Sequence, residues 1–277
     1  MNDFSRKIMP LYLIAMWYTF YALYSNGTFG GLHLVMVAIS YGLGLLVFRN
    51  FVYIFTYTYS LAVLLINVLL LATMQPDAAA TVVCIAAILY GARLSVFVWQ
   101  RSDRETYAGN RDRVWAAHRA MPGFVKVILW LFSSSLFLYV GITCWFVVNA
   151  HASNTMTWVG AILMLLGFVM EWLADHQKQQ FKSQQGNRLC TVGLFSRIRH
   201  PNYLGEMIFH AGLYLAGLSV FTEPMHYVAG LFGPLWVFVL MIGQAVAGEK
   251  IKKEKYGETP EYQAYIQKSS ALVPGIY

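Results

Sequence analysis

Residues 79–100 read AATVVCIAAILYGARLSVFVWQ, and Arg93 is the only charged residue in this run. About 20 mostly apolar residues make a helix long enough to cross roughly 30 Å of hydrocarbon. Comparable windows lie at 8–24, 31–48, 51–74, 125–149, 156–176, 203–221 and 227–247. The pattern predicts an all-α fold: a polytopic transmembrane helix bundle with seven or eight spans, forming a single integral membrane domain over residues 1–277.

The composition also favours a bilayer as the solvent. Hydrophobic residues make up 58% of the 277 positions and charged residues 12%, an apolar excess that one soluble core of this length would not use. The first window lacks a clear small-residue cleavage site, so we interpret it as a span rather than a removable signal peptide. Cys84 and Cys144 lie within apolar windows, which favours structural thiols over a disulfide framework or a metal cluster.

Lysine and arginine concentrate on one side of the predicted bundle. With eight spans and an inside N-terminus, the positive-inside rule places the 101–126 loop, the 178–199 loop and the 250–268 tail in the cytoplasm. The turns on the other side of the predicted bundle contain no lysine or arginine; they are 25–30, 75–77, 150–155 and 222–226. This bias explains the net charge of +7 with membrane lipids alone and without nucleic acid. We expect a bacterial inner-membrane protein whose site faces the cytoplasm.

The most informative polar segment is 171–206, EWLADHQKQQFKSQQGNRLCTVGLFSRIRHPNYLGE. Spacings of four, three and four residues place one set on a single face of a helix end: Glu171, Asp175, Lys178 and Lys182. Two carboxylates one turn apart repel each other unless a ribose, an amide or nearby cations donate to them. A solvated helix end with salt bridges between residues four apart is the alternative interpretation.

Cations and an amide follow in a loop that ends at Pro201, a residue suited to the first turn of a helix. Such a loop can present phosphate ligands, here Asn187, Arg188, Arg197, Arg199 and His200. Positive-inside anchoring would explain the arginines, but it would not explain Asn202, Tyr203 and Glu206 at the start of an otherwise apolar helix. An amide and a carboxylate at that depth predict a polar ligand.

The C-terminal tail carries lysines 250, 252, 253 and 255, followed by tyrosines 256, 262 and 265. An amphipathic interfacial helix with snorkelling lysines is one interpretation, and contact with phosphate is the other. The return of the chain to Pro274 predicts that the tail folds back as a lid over the cytoplasmic face.

Taken together, these residues resemble the membrane family of steroid 5-alpha-reductases and their bacterial relatives, most clearly over 165–277. The shared pattern is E-x-x-x-D with basic residues beyond it, then G-L-F, N-Y-L-G-E and A-L-V-P, at 171–182, 193–195, 202–206 and 271–274. The resemblance implies a bound NADPH. The cofactor contacts that it implies are Asp175, Asn187, Arg188, Asn202 and Glu206. We predict further cofactor contacts at Arg93, Arg101, Glu171, Lys182, Arg199, His200, Tyr203 and Lys253.

A Tyr-x-x-Arg on an early helix of that family is matched by Tyr90 and Arg93. The resemblance implies that the tyrosine polarises a substrate carbonyl beside the cofactor, with 1–124 as the substrate-pocket half and 125–277 as the cofactor-binding half. Arg93 is a site candidate independently, because an intramembrane charge should face protein, water or an anion. The family's acidic residue on the preceding helix has no counterpart in FTYTYS at 55–60, so Thr56 or Tyr57 would have to substitute.

The predicted activity is therefore NADPH-dependent reduction of the C=C bond of an enone lipid, with a 3-oxo-Δ4-steroid as the leading substrate and Tyr90 and Tyr57 as catalytic residues. No glycine-rich GxGxxG opens a βα unit, so the nicotinamide site is not of the Rossmann kind. The R-H-P-x-Y-L-G pattern at 199–205 and an E-x6-Y-G tail also resemble membrane isoprenylcysteine carboxyl methyltransferases and phospholipid methyltransferases, which implies S-adenosylmethionine as the alternative cofactor. A transporter or a non-catalytic scaffold remains open, although we find no internal repeat of the transporter kind.

Overall fold

A computed structural model describes residues 3–55, 57–102, 108–186 and 188–275. Within these ranges the chain is helical and has no named strand. The α-helices are α1 (Asp3–Ser25), α2 (Gly31–Gly44), α3 (Tyr57–Thr73), α4 (Ala78–Ser102), α5 (Ala108–Ala120), α6 (Gly123–Asn149), α7 (Thr155–Gln185), α8 (Pro201–Leu218), α9 (Pro224–Tyr256) and α10 (Pro260–Lys268). Short 3-10 helices occupy Leu45–Phe48, Phe51–Phe55 and Gly193–Ser196.

Among the described residues, 6 helices are long and apolar enough to cross a membrane. They are Gly31–Phe48, Phe51–Thr73, Ala78–Arg101, Gly123–Asn149, Thr155–Gln185 and Pro224–Tyr256, and each contains or closely matches a predicted window. The windows at 8–24 and 203–221 also form helices, α1 and α8, but these are not among the six. The polytopic helical bundle is confirmed, and the count of seven or eight spans stays a prediction.

Two of the spanning helices continue well beyond their apolar windows. Helix α7 has 31 residues and α9 has 33, which correspond to lengths of about 46 Å and about 50 Å at 1.5 Å per residue. Both exceed the roughly 30 Å thickness of bilayer hydrocarbon. Their extra turns carry the polar residues of the segments 171–182 and 249–255.

The chain divides into two compact units, whose boundaries fall inside α7, α8 and α9. Unit 1 comprises Met1–Ala161 and Leu213–Gly233, and unit 2 comprises Ile162–Gly212 and Pro234–Tyr277. In unit 1, α3 packs against α4 and α6, and α2 packs against α6. Gly91 permits the contact of α4 with α3, since a Cβ there would lie 2.5 Å from the Ser60 carbonyl oxygen.

Asp77 lies in the loop between α3 and α4 and binds Ser153 in the loop between α6 and α7. Its carboxylate accepts hydrogen bonds from the Ala80 amide at 3.0 Å, the Ser153 amide at 2.9 Å and the Ser153 hydroxyl at 2.6 Å. Burial acts to raise the pKa of this carboxyl, but the hydrogen bonds outweigh it, and the pKa lies below its ordinary value. The ionised form is therefore the form that ties the two loops together.

We expect Asp77→Asn to lower the melting temperature of the detergent-solubilised protein at pH 7, because the amide replaces a charged acceptor of three hydrogen bonds. A depressed folded-state pKa means that this stabilisation is fully present above the unfolded pKa of about 3.9 and is lost as the pH falls through the folded value. The difference from wild type should therefore shrink below about pH 4. Exposed Asp112 gives the control Asp112→Asn, and a gap of equal size at every pH would contradict the assignment.

Candidate functional site

Helices α7 and α8 cross in unit 2 at two glycines. A Cβ on Gly167 would lie 2.4 Å from the Phe209 nitrogen, and one on Gly205 would lie 2.7 Å from the Glu171 nitrogen and 2.8 Å from the Gly167 carbonyl oxygen. These are backbone atoms, so no side-chain movement could relieve the overlap. Glycine is needed because the two backbones touch, and the contact brings the polar end of α7 against the first turns of α8.

The carboxylates predicted on α7 are buried near this crossing. Glu171 is 5% exposed and Asp175 is 9% exposed, whereas a solvated helix end would leave them in water. On α8, Asn202, Tyr203 and Glu206 are half-buried. Buried carboxylates are costly unless polar groups donate to them, so this end of α7 is a structured polar region and not a solvated helix end.

The G-L-F segment fixes the following loop to α7. Gly193 has a φ of 60°, in the left-handed region that favours glycine, and a Cβ there would meet the Gln177 side chain at 2.4 Å. The Leu194 amide donates a hydrogen bond to Gln177 Oε1 at 2.9 Å. Phe195 packs with Ala174 and Cys190 in a small buried cluster, so the loop is held on the helix that carries the two carboxylates.

Arg199 and His200, both predicted as cofactor ligands, are bound by a carboxylate of the chain itself. The Arg199 Nε donates to Glu249 Oε2 at 2.6 Å, and the His200 Nε2 lies 2.8 Å from Glu249 Oε1. Lys252 adds a third contact, with its Nζ 3.0 Å from the same Oε1. Because an ionised carboxylate only accepts hydrogen bonds, His200 Nε2 carries the proton of its contact with Glu249.

The His200 ring packs against Tyr203 and close to Gly248. The ring stacks on Tyr203 with centroids 5.1 Å apart and an interplanar angle of 14°, and a Cβ on Gly248 would lie 2.8 Å from His200 Cε1. Burial lowers the pKa of His200, with the hydrogen bond to Glu249 opposing this effect, and the pKa lies below its ordinary value. Neutral pH therefore favours the uncharged imidazole, a hydrogen-bonding group rather than a full cation.

The C-terminal segment 269–272, which we name the strap, docks on this loop. The Ser270 amide donates to the Arg197 carbonyl at 2.9 Å, and the Arg199 amide donates to the Ser270 carbonyl at 2.8 Å. The His200 amide donates to the Ala271 carbonyl at 3.1 Å, and the Arg199 Nη1 donates to the Ser269 carbonyl. The return of the chain towards Pro274 thus places the strap along the candidate ligand loop.

Several predicted cofactor ligands lie at the surface of unit 2. Lys182, Arg188 and Lys253 are exposed, and the Arg188 Nη1 is 3.4 Å from Gln185 Oε1. Lys253 lines an open depression of about 750 Å³ at the end of α9. Asn187 lies outside the described residues.

Tyr90 belongs to unit 1 and is completely buried. The residue that faces its hydroxyl is Tyr59, whose hydroxyl points to it at 3.4 Å, with ring centroids 6.0 Å apart. The Tyr57 ring instead packs against Tyr53 at 5.5 Å. The FTYTYS pattern did not single out Tyr59, because which tyrosine of α3 meets Tyr90 depends on how α3 packs against α4.

The two arginines predicted on α4 lie over one aromatic ring. The Arg93 Cζ is 5.7 Å and the Arg101 Cζ is 5.2 Å from the centroid of Phe97. Arg93, Phe97 and Arg101 follow one another at intervals of four positions, so they share a helix face. Arg93 is half-buried and lies over a ring of its own helix, and its place beside a cofactor stays a prediction.

Comparison with known proteins gives a family and one partial relative. A family model described as a protein of unknown function, DUF1295, matches residues 45–269. The uncharacterized protein C594.04c of Schizosaccharomyces pombe is 25% identical over 146 residues, which cover 46% of this chain and 41% of the relative. The match thus spans less than half of that curated protein. No solved structure matches the chain.

Proposed function

Since the chain belongs to the DUF1295 family, and its site residues resemble those of steroid 5-alpha-reductases, we propose that it is an NADPH-dependent membrane reductase acting on the C=C bond of an enone lipid. The observation that carries the proposal is the burial of Glu171 and Asp175 beside the crossing of α7 with α8. The matched range 45–269 includes both the Tyr90–Arg93 pair and this polar region. We further propose a location in the bacterial inner membrane, with the site facing the cytoplasm.

The donor and acceptor groups of unit 2 suit a dinucleotide. Glu171, Asp175 and Glu206 carry carboxylates, which are groups that accept from ribose hydroxyls and from a carboxamide, and exposed Lys182 and Arg188 are cations that suit phosphates. Arg199 and His200 are better assigned to holding the loop, because Glu249 already binds them. When bound, NADPH supplies a hydride to the β-carbon of the enone.

In this proposal the chain itself supplies the second requirement of the reaction, a donor at the substrate carbonyl. Negative charge grows on that oxygen in the transition state, and a positioned hydroxyl stabilises it. Tyr90 fills this role. The Tyr59 hydroxyl donates towards the Tyr90 oxygen, which directs the Tyr90 proton away from Tyr59. The apolar helices admit a rigid lipid such as a 3-oxo-Δ4-steroid from the bilayer.

A membrane methyltransferase using S-adenosylmethionine is the second candidate. The observation that favours it is the contact of His200 with Glu249, since this contact joins the two segments, 199–205 and 249–257, that resemble methyltransferases. Equilibrium binding to the purified protein in detergent discriminates between the candidates. We expect saturable binding of NADPH, seen as enhanced nicotinamide fluorescence. Binding of S-adenosylmethionine without NADPH binding would reverse the assignment.

We expect Glu206→Gln to weaken NADPH binding about tenfold or more, because a hydrogen bond to a charged group contributes about 1.5–3 kcal/mol. The substitution keeps the shape of the side chain and removes its charge. Fluorescence titration with NADPH measures the affinity, and exposed Glu261 provides the control Glu261→Gln, which should bind like wild type. An affinity unchanged in Glu206→Gln would remove this residue from the site.

A further inference from the structure

We infer that Glu249 is a positioning residue for the cofactor site, acting through His200 and Arg199 on the first turn of α8 and on the strap. The inference rests on the proposed function of unit 2. Three side chains converge on this one carboxylate: Arg199 at 2.6 Å, His200 at 2.8 Å and Lys252 at 3.0 Å. Two of these groups come from the loop before α8, and Lys252 comes from α9 itself.

The side chains of this network are partly buried, so water and salt screen their interactions only in part. The Glu249 side chain is 18% exposed, and those of Arg199, His200 and Lys252 are 11%, 8% and 20% exposed. Exposed ion pairs contribute little because water and salt screen them, but partly buried pairs keep their interaction. A neutral residue at 249 would leave Arg199 and Lys252 close together without this carboxylate between them.

Two of the side chains that bind Glu249 also contact other parts of the site. The His200 ring stacks on the ring of Tyr203, so the contact of His200 with Glu249 positions the ring on which Tyr203 packs. Arg199 binds Glu249 through Nε and the Ser269 carbonyl through Nη1, so it links α9 to the strap. One carboxylate thereby fixes α9, the first turn of α8 and the strap relative to one another.

The chemistry of glutamine makes the test specific. A glutamine at 249 has one acceptor oxygen and one NH2 group, whereas both Arg199 and His200 donate to residue 249. If its oxygen faces Arg199, the NH2 group faces Lys252, which cannot accept, and His200, which can accept only by changing its tautomer; in the other orientation the NH2 group faces Arg199, which cannot accept either. In either orientation a charge-assisted contact is lost, and the change should reach Tyr203 through His200 or the strap through Arg199, while the apolar helices of unit 2 keep their packing.

We expect Glu249→Gln to raise the dissociation constant for NADPH about tenfold, as expected for loss of one charge-assisted contact. Hydrogen exchange should become faster at the amides of Ser270, Arg199 and His200, which bond between the strap and the loop. Exposed Glu254, on the same helix, gives the matched control Glu254→Gln, for which both readouts should equal those of wild type.

A double-mutant cycle separates positioning from simple stability. If Glu249 acts through His200, the double variant Glu249→Gln/His200→Gln should bind NADPH no more weakly than the weaker single variant. Additive losses, wild-type affinity in Glu249→Gln, or a lowered melting temperature with unchanged affinity would each overturn the inference. Failure of the wild-type protein to bind NADPH would instead overturn the proposed function and this inference with it.

Discussion

Replacement of Tyr90 by phenylalanine is expected to lower kcat about 10²-fold while the affinity for NADPH stays near the wild-type value. Removing one donor to a developing oxyanion typically costs about 10²–10³ in rate. The substitution deletes only the hydroxyl and keeps the ring that fills a fully buried position. A loss confined to turnover indicates an interaction made mainly in the transition state.

The measurement is the steady-state oxidation of NADPH with 4-androstene-3,17-dione, a 3-oxo-Δ4-steroid, as the probe. Tyr139 is the matched control in the same unit, because it is also buried and its hydroxyl donates to the Met16 carbonyl at 2.5 Å. Tyr139→Phe should reduce stability by about 1 kcal/mol and leave turnover unchanged. If Tyr90→Phe behaves like this control, Tyr90 is a packing residue and the catalytic donor is elsewhere.

Gly205→Val is expected to disrupt unit 2. Its Cβ would lie 2.7 Å from the Glu171 nitrogen and 2.9 Å from the Glu171 Cβ, and the two extra methyl groups of valine would widen the overlap. Because a backbone atom cannot rotate away, α7 and α8 must separate. Overpacking of this kind costs about 1–3 kcal/mol or more, which corresponds to a fall in melting temperature of about 2–10 °C.

Gly205→Val should also weaken NADPH binding, since the buried carboxylates lie beside the same crossing of α7 with α8. Gly243 is a suitable control, as it lies on α9 with nothing within 4 Å of its Cβ position. Gly243→Val should keep both the melting temperature and the affinity of the wild-type protein. Equal melting temperatures for Gly205→Val and Gly243→Val would refute the close backbone contact.

The sequence predicted the helical elements well because the signal for a span is local. A window such as 79–100 is long and apolar whatever surrounds it, and it reappears in Ala78–Arg101. The apolar windows end before α7 and α9 do, because a helix that leaves the membrane continues through polar residues that a hydropathy window excludes. For α7 the spacing of Glu171, Asp175, Lys178 and Lys182 predicted this continuation.

Side-chain partners were harder to predict because they depend on contacts distant in sequence. Arg199 and Glu249 are separated by 50 positions, and Glu249 lies in a lysine-rich tail that resembles an ordinary interfacial helix. The available signal was the E-x6-Y-G pattern, which pointed to Glu249 without naming its partners. The burial of Glu171 and Asp175 was likewise set by the glycine contact between α7 and α8, which spacing along one helix cannot reveal.

Helix α7 joins an apolar, membrane-spanning segment directly to the polar site. It contains no proline across its 31 residues, so it lacks the usual cause of a kink, and it carries both membrane-embedded residues and the carboxylates of Glu171 and Asp175. A transmembrane helix adjusts its tilt when bilayer thickness changes. Because the polar turns continue the same helix, a change of tilt in its apolar part would also move the carboxylates of Glu171 and Asp175.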